Sequence, residues 1–170
     1  MERESALADF ETARQEWEAA FAKVPDGALT YLKPGDDYSL GGLQVHLNWV
    51  LVHYRRVLDG IIAAGFAQTA PQDPPADVRR ALDGAKRGLM PDERHRSLAE
   101  MARLHAAVRS TIGEIPEDDW SRKAAVIYGE GQDPYPTSPE DVIGWLREHY
   151  REHVEQSADL IEEWAAAHGS

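Results

Sequence analysis

Apolar residues recur at spacings of three and four through four long stretches of the chain, and almost nowhere alternate with polar ones. That is the signature of amphipathic helices rather than half-buried strands, and it predicts an all-α fold. The first stretch runs from about Ser5 to Val24 on the stripe Leu7, Phe10, Ala13, Trp17, Phe21 and Val24, and stops at the turn signal Pro25-Asp26-Gly27. The second starts behind Ser39, a suitable N-cap, and runs through Gly41-Gly42 to about Ala64, where Gly65 can act as a C-cap. Its middle is apolar on most sides, so the spacing predicts a helix buried on most of its surface.

The proline-rich stretch from Gln68 to Pro75 reads as a loop, and Asp77 to Leu89 as one short helix before Pro91. This connection is long for a hairpin and suits a bundle with one crossover between its second and third long helices. The third long helix covers about Asp92 to Glu114 on the stripe Leu98, Met101, His105, Val108 and Ile112. From Glu117 to Thr137 the chain reads as an irregular covering segment. The last helix opens with Ser138 as N-cap, Pro139 at the first helical position and Glu140 and Asp141 at the positive end of the dipole, and runs to about Ala167.

Length and composition narrow the picture. At 170 residues there is room for a single domain, 1–170, with a real core. With 42% hydrophobic and 28% charged residues the chain is close to the globular average, so it should fold. A formal net charge of -12 repels a phosphate backbone, which argues against a nucleic-acid partner. No run approaches the roughly 20 apolar residues of a membrane span, and the start, Met1-Glu2-Arg3-Glu4-Ser5, opens an acidic helix rather than a signal peptide. The expectation is a cytoplasmic protein with no membrane partner. Cysteine is absent, which removes disulfides and thiolate ligands. A bound metal must therefore be held by nitrogen and oxygen.

The histidines then stand out by position. Val142, Leu146, His149, His153, Gln156 and Leu160 follow one another at steps of four, three, four, three and four, the buried seam of a packed helix. His149 and His153 occupy places where leucine is expected, about 40° apart around the axis, so both rings can reach one point. Two unpaired imidazoles on a seam each cost on the order of 1–3 kcal/mol, and a metal satisfies both. The competing reading is that one or both rings face outward or bond a carboxylate. His46 supplies a third ring from the centre of the most apolar helix, on the row Leu43, His46, Val50, His53, Val57. Three imidazoles and an open position form the pattern of a catalytic site for Zn²⁺, and suit Ni²⁺, Co²⁺, Fe²⁺ or Mn²⁺ as well. His53 and His105 also fall on apolar rows but lack a partner one turn away, and read as satisfied core or rim histidines. His95 and His168 read as exposed. Trp17, Trp49, Trp145 and Trp164 read as core or interface.

Over essentially its whole length the chain resembles the DinB superfamily, the DinB/YfiT-like metalloproteins. The matching runs are Tyr38-Ser39-Leu40-Gly41-Gly42-Leu43-Gln44-Val45-His46-Leu47, where the family has Trp-Ser/Thr and then Leu-x-His-Leu; His149-Tyr150-Arg151-Glu152-His153, its His-x-x-x-His; and Pro116-Glu117-Asp118-Asp119-Trp120 after the third long helix. Tyr38 in place of the usual Trp is a departure that touches capping and packing rather than the ligands. The resemblance implies a four-helix bundle, often a homodimer, with His46, His149 and His153 on a divalent ion. It also implies a small-molecule substrate. Some members are S-transferases or isomerases that use a low-molecular-weight thiol such as bacillithiol or mycothiol, and here such a thiol must come from outside. The same open position suits a metal-dependent hydrolase, and a non-catalytic metal-stabilised bundle in stress response is the remaining alternative. Tyr54, Glu130 and Glu152 are the candidates for proton transfer, none preferred, so the catalytic residues stay unassigned.

Overall fold

The computed structural model describes residues 1–169. Helix makes up 68% of the described residues, in three short 3-10 helices and five α-helices: α1 (Arg3–Phe21), α2 (Leu40–Ala63), α3 (Pro75–Arg87), α4 (Arg94–Glu114) and α5 (Pro139–Ala167). The caps predicted from sequence form. The Ser39 hydroxyl accepts from the Gly42 amide at 3.0 Å. Ser138 accepts from the Asp141 amide while Asp141 accepts from the Ser138 amide, a reciprocal capping box that satisfies two N-terminal donors of α5. Gly65 takes a φ of 58°, the left-handed conformation that a helix end favours.

The all-α expectation needs one correction. Between α4 and α5 lie two strands, β1 (Ala124–Val126) and β2 (Tyr135–Thr137), paired antiparallel with Ala125 opposite Pro136. The loop after α2 adds to their edge: the Thr69 amide donates to the Ala125 carbonyl and the Ala125 amide to the Ala67 carbonyl. Strands of three residues, one containing proline at a sheet edge, are too short to display alternation.

Packing follows the apolar stripes. α1 lies against α5, and α2 lies against α3, α4 and α5. The core runs through Phe10, Trp17 and Phe21 of α1, Leu43, Leu47 and Leu51 of α2, Met101 and Val108 of α4, and Leu146 and Tyr150 of α5, all buried. The Trp17 indole donates to Gln44 Oε1 at 2.7 Å, so the two buried polar groups satisfy each other. Gly41 and Gly42 open α2 where two backbones crowd it. A Cβ on Gly41 would stand 2.4 Å from the Leu29 carbonyl oxygen, and one on Gly42 would stand 1.7 Å from that of Ala85. This close approach fixes the start of α2, and so the depth at which its side chains enter the interior. No helix among the described residues is long and apolar enough to cross a membrane.

Candidate metal centre

α5 is packed on both α1 and α2, and its buried positions are Pro139, Val142, Ile143, Leu146, Tyr150, His153, Ser157 and Leu160. The buried face is wider than the seam read from sequence. Tyr150 and Ser157 share it, while His149 and Gln156 stand at its edge, half-buried. His153 is 6% exposed. His46 projects from α2 and is half-buried.

The three rings meet. Centroids of His46 and His149 are 5.6 Å apart, those of His46 and His153 5.2 Å, and those of His149 and His153 5.6 Å, close to an equilateral triangle. One nitrogen of each lies within 4.8 Å of the other two, so the three histidines are placed to hold a metal ion. Two further observations fit that donor set. His153 Nε2 is buried and has no hydrogen-bond partner among the described residues, a polar atom left in the interior at a cost of on the order of 1–3 kcal/mol unless something binds it. His153 Nδ1, by contrast, is paired with Gln156 Oε1 at 2.8 Å. An outer hydrogen bond on one ring nitrogen is how a ligating imidazole is usually oriented.

Electrostatics keep the rings neutral, the form that binds metal. Burial, and then the neighbouring His153 and His149 rings, push His46 down to about 3. Burial also lowers His149, opposed by the Glu152 carboxylate, the Trp145 carbonyl and Glu148. Burial lowers His153, opposed by its bond to Gln156. Tyr38 stacks on His46 with centroids 4.2 Å apart and 22° between planes, and meets His153 edge-on at 6.3 Å. The sequence reading gave Tyr38 only a packing role; the ring in fact covers one ligand candidate directly.

The other histidines separate from the site. His53 Nδ1 pairs with the Asp73 carboxylate, which also takes Arg56 at 3.1 Å. His105 is buried, stacked on Phe10 at 3.8 Å, and its Nδ1 lies 3.1 Å from the Tyr150 hydroxyl. Its Nε2 is 2.9 Å from Glu11 Oε2, but off the line a hydrogen bond requires. His95 and His168 are exposed.

A cleft of about 620 Å³ opens beside His149. Tyr54, Tyr128, Tyr135 and Trp145 line it, with Glu148, Glu152, Gln132 and Asp133. Tyr54 and Glu152 therefore share a cleft with His149, whereas Glu130 lies in a neighbouring cleft that Tyr128 also lines. Trp145, read from sequence as core or interface, is a wall of this cleft. Trp17 is core as expected, and Trp49 borders a cavity of about 90 Å³ behind His46 and Tyr38. Tyr128 and Tyr135 were not singled out in the sequence. They come from the β1–β2 segment, and no periodicity links them to α5. Gln156, three residues beyond His153, was detectable as an i,i+3 partner.

No curated protein and no solved structure matches the chain. The family model of the DinB superfamily matches residues 9–157, a span that includes all three histidines and every residue lining the cleft. On that match over most of its length, the chain belongs to the DinB superfamily.

Proposed function

We propose that the chain is a divalent-metal-dependent enzyme of the thiol S-transferase type, joining a low-molecular-weight thiol to an electrophilic small molecule. The observation that carries this reading is the convergence of His46, His149 and His153, one ring nitrogen of each within 4.8 Å of the others, with the buried Nε2 of His153 left unpartnered. Three neutral imidazoles suit Zn²⁺, Ni²⁺, Co²⁺, Fe²⁺ or Mn²⁺, and a set of three protein ligands is that of a catalytic rather than a structural site. An ion held there supplies Lewis acidity that keeps a thiol or water deprotonated near neutral pH.

The chain's own groups do the rest. With no cysteine in the sequence, the sulfur nucleophile belongs to a co-substrate. In the transfer the thiol loses its proton, a carbon–sulfur bond forms at the electrophilic carbon, and the leaving group departs with its electron pair. Glu152 is one of three carboxylates in the cleft and is the one we take as proton acceptor, and Tyr54, raised by burial above its ordinary value, stays a donor for the leaving group. The same reading takes α1, α2, α4 and α5 as a four-helix bundle with α3 in the long connection. The mutual packing of α1 with α5 and of α2 with α4 and α5 supports it.

The test is metal analysis of protein purified without an affinity tag, followed by reloading and a conjugation assay across thiols and electrophiles. One ion per chain, with turnover that needs both ion and thiol and is lost in His153→Ala, is the expected outcome. One ion per chain with no turnover on any thiol favours a metal-stabilised scaffold, and turnover with water alone favours a hydrolase.

A further inference from the structure

The cleft beside His149 has a chemical bias of its own. Its rings form a continuous arc: Tyr54 to Trp145 at 5.8 Å and 40°, Trp145 to Tyr135 at 6.3 Å and 47°, Tyr135 to Tyr128 at 6.4 Å and 66°. Tyr135 is 56% exposed, a large aromatic left at the rim. Facing the arc are Glu148, Glu152 and Asp133, and no lysine or arginine lines the cleft.

These carboxylates are uncommitted. Among the described residues none of the three has an ion pair or hydrogen bond. Arg147 and Arg151 border an adjoining groove with Glu148 and Glu152 but bond other carboxylates: Arg147 donates to Asp9 at 2.9 Å, and Arg151 donates to Asp9 at 2.7 Å and to Glu16 at 2.9 Å. Glu148 and Glu152 stand one helical turn apart, so both address the same side of α5. His149 also lines the cleft, and its ring belongs to the three-histidine cluster in which the Nε2 of the buried His153 is unpartnered.

The geometry points to an arylalkylammonium ion, a protonated amine carrying an aromatic ring, as the ligand class of this cleft. Its ring packs into the aromatic arc, where offset and edge-on contacts are favoured, and its ammonium group is drawn by the ring faces and donates to Glu148 and Glu152. An anionic ligand meets three unpaired carboxylates and is excluded. The volume lies in the usual range for small-molecule sites. That this ligand is the electrophile of the reaction rests on the function proposed above; the charge and shape preference rests on the cleft alone.

Calorimetric titration of the full chain, both metal-loaded and chelator-treated, with phenethylamine, its neutral isostere 2-phenylethanol and the anion 3-phenylpropanoate tests this. Phenethylammonium is expected to bind about tenfold tighter than 2-phenylethanol, with the anion weakest, whether or not metal is present. Glu148→Gln with Glu152→Gln brings the ammonium down to the level of the alcohol, and Tyr135→Ala, at an exposed position, weakens both by about fivefold. Equal binding of ammonium and alcohol, undiminished binding in these variants, or no binding of either in the millimolar range overturns the inference. Metal uptake with no ammonium preference sinks this inference alone. Ammonium preference with no metal uptake sinks the metal-centre reading alone.

Discussion

Gln156 stands one helical turn beyond His153, and its Oε1 lies 2.8 Å from the imidazole Nδ1. With the amide oxygen as acceptor, Nδ1 carries the proton and Nε2 presents its lone pair, the tautomer that offers Nε2 to a metal. Gln156→Leu removes the acceptor without touching a ligand. Metal affinity should fall by about 10- to 100-fold with helical content unchanged, as measured by competition with a chromophoric chelator and circular dichroism. Unaltered affinity would show that the amide does not set the tautomer.

Buried neutral histidines also set a pH dependence. His46 is pushed to about 3 and His105 to about 4, each chiefly by burial, and burial lowers His149 and His153. Below the ordinary value of about 6.5 the unfolded chain binds protons that the folded chain does not. Stability of the metal-free protein should therefore be full above pH 6.5 and fall as the pH drops toward 4, each such histidine contributing at most about 1.4 kcal/mol per pH unit. Urea melts in chelator between pH 5 and 7.5 measure the slope, and a flat profile contradicts it. Metal binding should persist to about pH 6, since protons compete poorly for these nitrogens.

Loading the centre should stabilise the fold by mass action. At a free ion concentration about 100 times Kd the gain is about 2.7 kcal/mol, or roughly 5–10 °C in Tm for a chain of this size. A thermal melt with and without chelator reads it directly, and His153→Ala should abolish the difference.

Two glycines make a paired test of the backbone. Gly42→Ala drives a methyl group into the Ala85 carbonyl, 1.7 Å away, and should cost about 2 kcal/mol or more. Gly113, in the last turn of α4, has no atom of another part of the fold within 4 Å of where a Cβ would stand, so Gly113→Ala should stabilise by about 0.5–1 kcal/mol. Chemical denaturation of both variants gives the comparison, and destabilisation by Gly113→Ala would argue against the open space beside it.

What the sequence could reveal follows from range. Helix positions and caps are local, so Ser39, Gly65 and Ser138 announce their elements, and the histidine pair of α5 is recognisable from spacing alone. His46 was reachable because it interrupts an apolar row. The relative depth of the rings was not, since α5 packs on two neighbours and buries a face that Tyr150 and Ser157 share. Nor was the cleft, whose rings come from α2, the β1–β2 segment and α5, and are brought together only by tertiary packing. The hairpin escaped notice because Tyr135-Pro136-Thr137 carries no alternation to read.

The division of the centre, two imidazoles on α5 and one on α2, has a mechanical side. A slide of α5 by a single turn would carry His149 and His153 about 5.4 Å past His46, beyond any common bond length. An ion seated among them is thus a latch on the axial alignment of these two helices. Its departure would free amides along their shared seam to exchange with deuterium, while those of α1, which carries none of the three histidines, kept their protection.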